Sequence, residues 1–497
     1  MVKKAVLFFS AALFSALFLI VSASAEEADC NNAEFTVEGF SDQYLLTDGS
    51  ERSHTAAEEG GSVTVTREDG ISFLYIVFDR IPEQWTMTDI SDGASAVCGE
   101  NSFLHEYVDV ASKLGCKPKT IRLDFPLGTS IDEIYAFGEG DIPDWVQRWS
   151  PPCEQADVLL LSSHADDEQL FFAGVLPIYA GERGLNVQVV YLVSHFYNTA
   201  EYERVRPHEQ LDGLWTVGVR NYPVMSDFPD LYSESLEEAL SVYGWYGFGY
   251  DDFTEFLTGV LRRFKPLVVV THDVNGEYGH GTHVLCAAAL MESVELAADE
   301  TKYTYSAEQY GGTWQPEKVY LHLYPENPIV LDLDVPLSAF DGKTAFQVSQ
   351  DGFSKHLSQH WIWFYGWMYN VTRAADIGIY SPCYYGLYHT SVGYDTGIGD
   401  LMENIVPYAE RNAEAPTEEP DETDNGEDTE TDVTTEHTEE PPTEEETDTP
   451  GASEMTDSEN SLLSVDGLIL LIIVIAVIVP VAVICIIAVK SKKKRKK

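Results

Sequence analysis

The sequence predicts an α/β protein: a Rossmann-like, mostly parallel sheet with helices on both faces, set behind a small β-sandwich and ahead of a disordered acidic stalk and one transmembrane helix. Three features carry that prediction. From residue 151 onward, short apolar runs alternate with amphipathic helical stretches, the pattern of βαβ units. Between 26 and 150 the chain is strand-like and punctuated by glycine, with few segments periodic enough for helices. Two apolar runs, Val158-Leu159-Leu160-Leu161 and Leu267-Val268-Val269-Val270, lead straight into histidines and acids. Ligands of open parallel sheets sit beyond the carboxyl ends of strands, so both clusters fall where such a fold puts its site.

Taken in order, residues 1–25 read as a secretory signal: Lys3 and Lys4, an apolar stretch, then Ala23-Ser24-Ala25 for cleavage. The sandwich occupies 26–150. Ser62 to Thr66 alternates, Arg67-Glu68-Asp69-Gly70 turns, and Ile71 to Phe78, Thr120 to Phe125 and Ser130 to Phe137 follow as strands. The α/β domain is expected over 151–411. Its first strand, Val158 to Ser162, precedes a helix over Asp167 to Tyr179; Val187 to Val193 precedes a helix over Glu201 to Val217. Val219 to Val224 is a third strand, Asp252 to Phe264 a helix, Leu267 to Thr271 a fourth strand, and His280 to Leu296 a helix. Beyond Thr301 the chain is rich in aromatics, of which Trp363 and Trp367 read as core. Aromatics lining a sugar cleft are the alternative.

Residues 412–460 are dominated by Glu, Asp, Thr and Pro and lack apolar mass to offset chain entropy, so they read as a self-repelling stalk. The uncharged stretch 467–489 is long enough to span a bilayer, and the basic tail 490–497 should stay cytoplasmic. A single-pass protein of the cell membrane with its bulk extracellular follows. The formal net charge of −52 argues against nucleic acid and other polyanions as partners. Cys30, Cys98, Cys116, Cys153, Cys286 and Cys383 lie outside the span and permit disulfides whose pairing sequence does not choose; Cys286, among alanines, reads as a buried free thiol.

The chemistry concentrates in His164-Ala165-Asp166-Asp167-Glu168 and in His280-Gly281-Thr282-His283. A catalytic zinc takes about three protein ligands and leaves one position open. His164 and Asp167, three apart, reach one centre from a strand end and a first helical turn, and His283 completes the set from the other loop. Asp166 and His280 then stand unligated beside the metal. A free carboxylate suits removal of a proton from water, and a histidine opposite suits stabilising an oxyanion and protonating an amine. The bland alternative makes Asp167 a helix-start residue worth roughly 0.5–2 kcal/mol. That account leaves Asp166 and the His280/His283 pair unexplained. Asp273 is a candidate to orient His280 or a turn residue, and Arg206 a substrate clamp or a salt-bridged helix residue. His195, His208 and His389 carry no functional signal, and nothing in spacing makes His272 a ligand.

These motifs resemble those of the LmbE-like, or PIG-L, family, which includes N-acetylglucosaminyl-phosphatidylinositol de-N-acetylase. The family's His-Pro-Asp-Asp-Glu is matched by residues 164–168, with Ala165 in place of proline, and its His-x-x-His by 280–283. Arg206-Pro207-His208-Glu209 is similar to its Arg-x-x-Glu helix, and Gly386 to Asp395 to a C-terminal segment of larger members. The resemblance implies zinc, or another divalent ion, held by His164, Asp167 and His283, with Asp166 as general base and His280 as acid or electrophile. It further implies N-deacetylation of an amino sugar, so the expected partner is an N-acetylated glycan or glycoconjugate outside the cell. A metal-dependent amidase on another acyl amide and a non-catalytic glycan-binding surface protein are the alternatives. The first domain loosely resembles the discoidin, or coagulation-factor type C, module, which implies a carbohydrate-binding jelly roll; a spacer is the alternative.

Overall fold

The computed structural model describes residues 27–195, 204–397 and 399–414. The expected signal segment, most of the stalk, the apolar span and the basic tail lie outside these. Among the described residues no helix is long and apolar enough to cross a membrane.

The first part is a two-sheet sandwich of antiparallel strands: β1 (Glu34–Glu38), β2 (Thr55–Ala57), β3 (Gly61–Thr66), β4 (Phe73–Phe78), β5 (Trp85–Asp89), β6 (Ser95–Cys98), β7 (His105–Asp109), β8 (Thr120–Phe125) and β9 (Thr129–Phe137). One sheet runs β1-β3-β8-β5-β6 and the other β2-β9-β4-β7. Strand β5 alternates buried and half-buried residues, as a strand with one solvated face should. Strand β4, Phe-Leu-Tyr-Ile-Val-Phe, is buried throughout, because its outer face is covered as well.

The second part carries a seven-stranded sheet: β10 (Val158–Ser162), β11 (Val187–Tyr191), β12 (Val224–Met225), β13 (Val268–Thr271), β14 (Lys318–His322), β15 (Pro328–Val330) and β16 (Tyr384–Thr390). Its order is β12-β11-β10-β13-β14-β16-β15, with the first five strands parallel and the last two antiparallel additions. Val158 sits in register with Val187 on one side and Val268 on the other. Strand order therefore reverses at β10, and the crevice beyond the β10 and β13 carboxyl ends is the topological switch point.

The helices that flank this sheet include α1 (Asp167–Leu170), α2 (Arg206–Thr216), α3 (Leu236–Trp245), α4 (Tyr250–Phe264) and α5 (Gly281–Ala298), with α6 (Ala345–Phe353) further on. Helix α4 buries Phe253, Leu257, Leu261 and Phe264 along one stripe and packs on alanine-rich α5. Buried Arg262 donates to the carbonyls of Leu296, Ala297 and Asp299, satisfying the end of α5 that would otherwise lack partners.

Three expectations need correction. The helix over Asp167 to Tyr179 is broken: one α turn, then a turn through Gly174 at φ +86°, then a π-helical stretch over Pro177–Glu182. Pro177 lacks the amide an uninterrupted helix needs, and a Cβ on Gly174 would lie 2.5 Å from Leu333 Cδ2. The third strand shrinks to Val224–Met225, while Asn221 only bridges to Ser150. Trp363 is half exposed instead of core. Helix α3 was not foreseen at all. All six described cysteines are unpaired, Cys286 among them and buried.

The two parts meet through a buried seam. Phe103 stacks on Tyr222 at 4.5 Å, and the Tyr222 hydroxyl accepts from the Leu104 amide. Beside it a chain of hydrogen bonds runs from Tyr75 to His105 (2.8 Å) and from His105 to His208 on α2 (2.8 Å), with Asp132 3.1 Å beyond. His208, expected to be unremarkable, is thus a buried tie between the parts.

Candidate active site

Two connections off the switch point build the site. After β10 the chain turns through Ser163 to His164, and Asp167 opens α1. After β13 it passes His272 and Glu277, and His280 caps α5, leaving His283 in the first turn. Three ligand-type atoms meet there: His164 Nδ1 lies 3.1 Å from Asp167 Oδ2 and 3.1 Å from His283 Nε2, and those two are 3.2 Å apart. Tetrahedral coordination at about 2.0–2.1 Å gives ligand–ligand edges of about 3.3 Å. The triangle fits one face of such a site. Two imidazole nitrogens and a carboxylate oxygen are donors that suit zinc and similar divalent ions.

Both imidazoles are aimed from behind by carboxylates. His283 Nδ1 donates to Glu277 Oε2 at 2.7 Å, which leaves Nε2 with its lone pair toward the triangle. His164 Nε2 lies 3.4 Å from Asp230 Oδ1. Such partners fix tautomer and ring orientation and raise ligand basicity. His280 joins His164 and His283 in a second close group, and His272 joins Asp167 and His283 in a third. Its Nε2 already accepts the Ser163 amide at 2.9 Å while Nδ1 donates to Glu277 at 2.8 Å, so its lone pair is spent tying the two loops together.

Asp166 and His280 flank the triangle. Asp166 is buried in a sparsely populated backbone conformation, φ 133° and ψ −28°, of the kind that costs about 1–3 kcal/mol and clusters at active sites. Burial and then the neighbouring Asp167 push its carboxyl up to about 7. His280 stands 4.7 Å, ring to ring, from both His164 and His283. Its Nδ1 accepts the Thr282 amide, so the ring proton of the neutral form sits on Nε2 as a donor. Burial, then His164 and His283, hold its pKa down to about 2. The two imidazoles of the triangle behave oppositely. Burial opposes their protonation, but Asp230 and Asp167 lift His164 to about 10, and Asp167 and Glu277 lift His283 to about 9. The carboxylates around the triangle favour positive charge there.

A family model described as "PIG-L: GlcNAc-PI de-N-acetylase" matches residues 159–294, the stretch holding every residue just placed. This stretch is a PIG-L family domain. The chain is 25% identical over 193 residues to a 1D-myo-inositol 2-acetamido-2-deoxy-alpha-D-glucopyranoside deacetylase 1 of Catenulispora acidiphila, covering 35% of this chain and 58% of that protein. It thus spans under two thirds of that relative's length. It is 43% identical over 60 residues to a mycothiol S-conjugate amidase of Streptomyces coelicolor, 12% of this chain and 20% of that one. Among solved structures, an N,N'-diacetylchitobiose deacetylase from Pyrococcus horikoshii aligns over 52% of this chain and 90% of that one, at 16% identity and a TM-score of 0.34.

Within the PIG-L domain, His164, Asp166, Asp167, His280 and His283 all converge. The outlying expectations fare differently. Asp273 accepts from the Asn275 amide and side chain at 3.0 and 3.1 Å and closes a turn; His280 is tied through Thr282 instead. Arg206 donates to the Ala165 carbonyl at 2.9 Å and to Asp230 at 3.3 Å, so it braces the His164 loop. Glu277 and Asp230 are the residues that sequence reasoning missed. Glu277 had a signal, an acid between the two histidine motifs; Asp230 had none. Tyr232 and Tyr278, ring centroids 5.2 and 5.5 Å from His280, form an exposed aromatic rim, with Trp363 6.4 Å from Tyr278.

Proposed function

We propose that this chain is a zinc-dependent hydrolase that removes the N-acetyl group from an amino sugar in a glycan or glycoconjugate. The observation that carries the reading is the three-atom triangle with a strained, buried Asp166 and His280, its Nδ1 held by the Thr282 amide, beside it. His164, Asp167 and His283 would hold a divalent cation, which would supply Lewis acidity to an amide carbonyl and to water. Asp166 takes the proton of the attacking water as oxygen bonds to the acyl carbon. His280 Nε2–H donates to the oxygen on which negative charge develops. The carbon–nitrogen bond breaks as the proton held by Asp166 passes to the departing amine, leaving acetate and a free amino sugar. The aromatic rim supports a sugar, since ring faces pack on its apolar surfaces. We extend the proposal to a membrane-anchored, extracellular placement, which rests on the two terminal segments alone.

The test is metal analysis of the purified chain with an acetate-release assay over N-acetylated amino sugars and their polymers. Stoichiometric zinc and acetate release support the reading; metal-loaded chain inert on every acetamido sugar sinks it. The mycothiol S-conjugate amidase likeness favours a second reading, cleavage of a bulkier acyl amide, and turnover of bulky amides with none of acetamido sugars would select it. Saccharide binding by metal-free chain, with no hydrolysis by loaded chain, would select a purely binding role.

A further inference from the structure

A cavity of about 620 Å³ lies at the seam between the sandwich and the PIG-L domain, away from the metal-site residues. That volume is typical of small-molecule sites, about 300–1,000 Å³. It draws on both parts: Tyr75 and Tyr135 of the sandwich, Trp145 of the connecting segment, Asp212 and Trp215 of α2. At 1.5 Å per residue, Asp212 and Trp215 sit about 9 and 14 Å along α2 from Arg206, which braces the catalytic loop. None of the candidate metal-site residues His164, Asp167 and His283 lines the cavity.

Its aromatic wall is preset. Trp145 is 47% exposed, yet Tyr135, Phe137 and Tyr75 pack on it at 5.1, 5.7 and 5.8 Å between ring centroids. Trp215 is pinned by its indole N–H to the Asp144 carbonyl at 2.9 Å and lies under Arg220 at 3.8 Å. The polar wall is preset too: Gln147 donates to Asp212 at 2.5 Å and accepts from the Trp149 indole at 2.8 Å. Charges in the lining balance, with Glu51, Asp144 and Asp212 against Arg148, Arg220 and Lys355. A balanced lining disfavours polyanions and polycations alike, because either would leave half the charged groups unmatched. It suits a neutral molecule with many hydroxyls, whose O–H groups donate to carboxylates and whose oxygens accept from guanidinium and ammonium.

We propose that this junction cavity is a saccharide-binding site, distinct from the metal site, in which Trp145 stacks on a neutral sugar ring and Asp212 and Arg148 bond its hydroxyls. The claim stands apart from the hydrolase reading. The test is calorimetric titration of the full chain with tetra-N-acetylchitotetraose and, separately, cellotetraose, on the Asp166→Asn background to prevent turnover. Binding of either probe is expected, weakened at least about tenfold by Trp145→Ala and, independently, by Arg148→Met, but retained after His164→Ala. Acetate release from an N-acetylated monosaccharide should be unchanged by Trp145→Ala. Binding untouched by both cavity variants, binding lost only with His164→Ala, or no binding of either probe at millimolar concentration overturns the site. None of these outcomes bears on acetate release, so the two proposals fail separately.

Discussion

Asp166 shows why position outranks residue type. Asp167, its neighbour, offers its carboxylate to the triangle, while Asp166 is turned aside by a backbone angle that few residues with a side chain adopt. Replacing Asp166 by Asn should keep bound metal and lower turnover by about 10²–10⁴-fold, the usual worth of a general acid–base group. His164→Ala should lose both metal and turnover. Full activity in the Asp166 variant would remove the general base from the mechanism. Glu277 invites a second test, because it holds His272, His283 and His322 at 2.8, 2.7 and 2.6 Å from inside the fold. Glu277→Gln should weaken metal affinity about 10–100-fold, read by competition against a chromophoric chelator. An unchanged affinity would mean that packing alone orients His283.

At the scale of elements, the segment after β10 carries the largest misreading. Apolar residues from Leu170 to Leu176 have helical spacing, yet the site needs Asp167 at the start of one turn and the chain then has to change course. Gly174 allows this with its positive φ, and Leu333 occupies the space a side chain would take. Gly174→Ala should therefore destabilise the protein by about 1–3 kcal/mol from backbone strain alone, seen as a thermal midpoint lower by several degrees. An unmoved midpoint would show that the turn relaxes freely. Periodicity could not reveal the break, since burial on both sides of the segment imitates a helix facing the core.

Across the whole molecule, one apolar cluster contains Val63 and Leu123 of the sandwich together with Val158 and Val268 of the parallel sheet. With Phe103, Tyr222 and the His105–His208 tie between them, the two parts should unfold in a single cooperative transition. Superimposable melting curves from circular dichroism and tryptophan fluorescence would agree with this; two separated steps would contradict it. Metal belongs to the same scale. A chelator should abolish hydrolysis and lower the midpoint, because binding to the folded form alone adds stability by mass action, and zinc should restore both. Activity that survives exhaustive chelation would exclude the proposed chemistry.

The primary structure by itself determined the βαβ alternation, four of the nine sandwich strands and the five residues at the centre, because each signal is local: period, punctuation, and two short motifs behind apolar runs. Strand order decided that those motifs meet, placing β10 beside β13 across 110 residues of chain, as the Thr271 hydroxyl bound to the Leu161 carbonyl records. Asp230 behind His164, His272 spent on the Ser163 amide and the cavity beside Trp145 depend on loops from distant elements settling against one another. Such contacts leave no periodic trace, since what fixes them is the space remaining once the sheet and helices have packed.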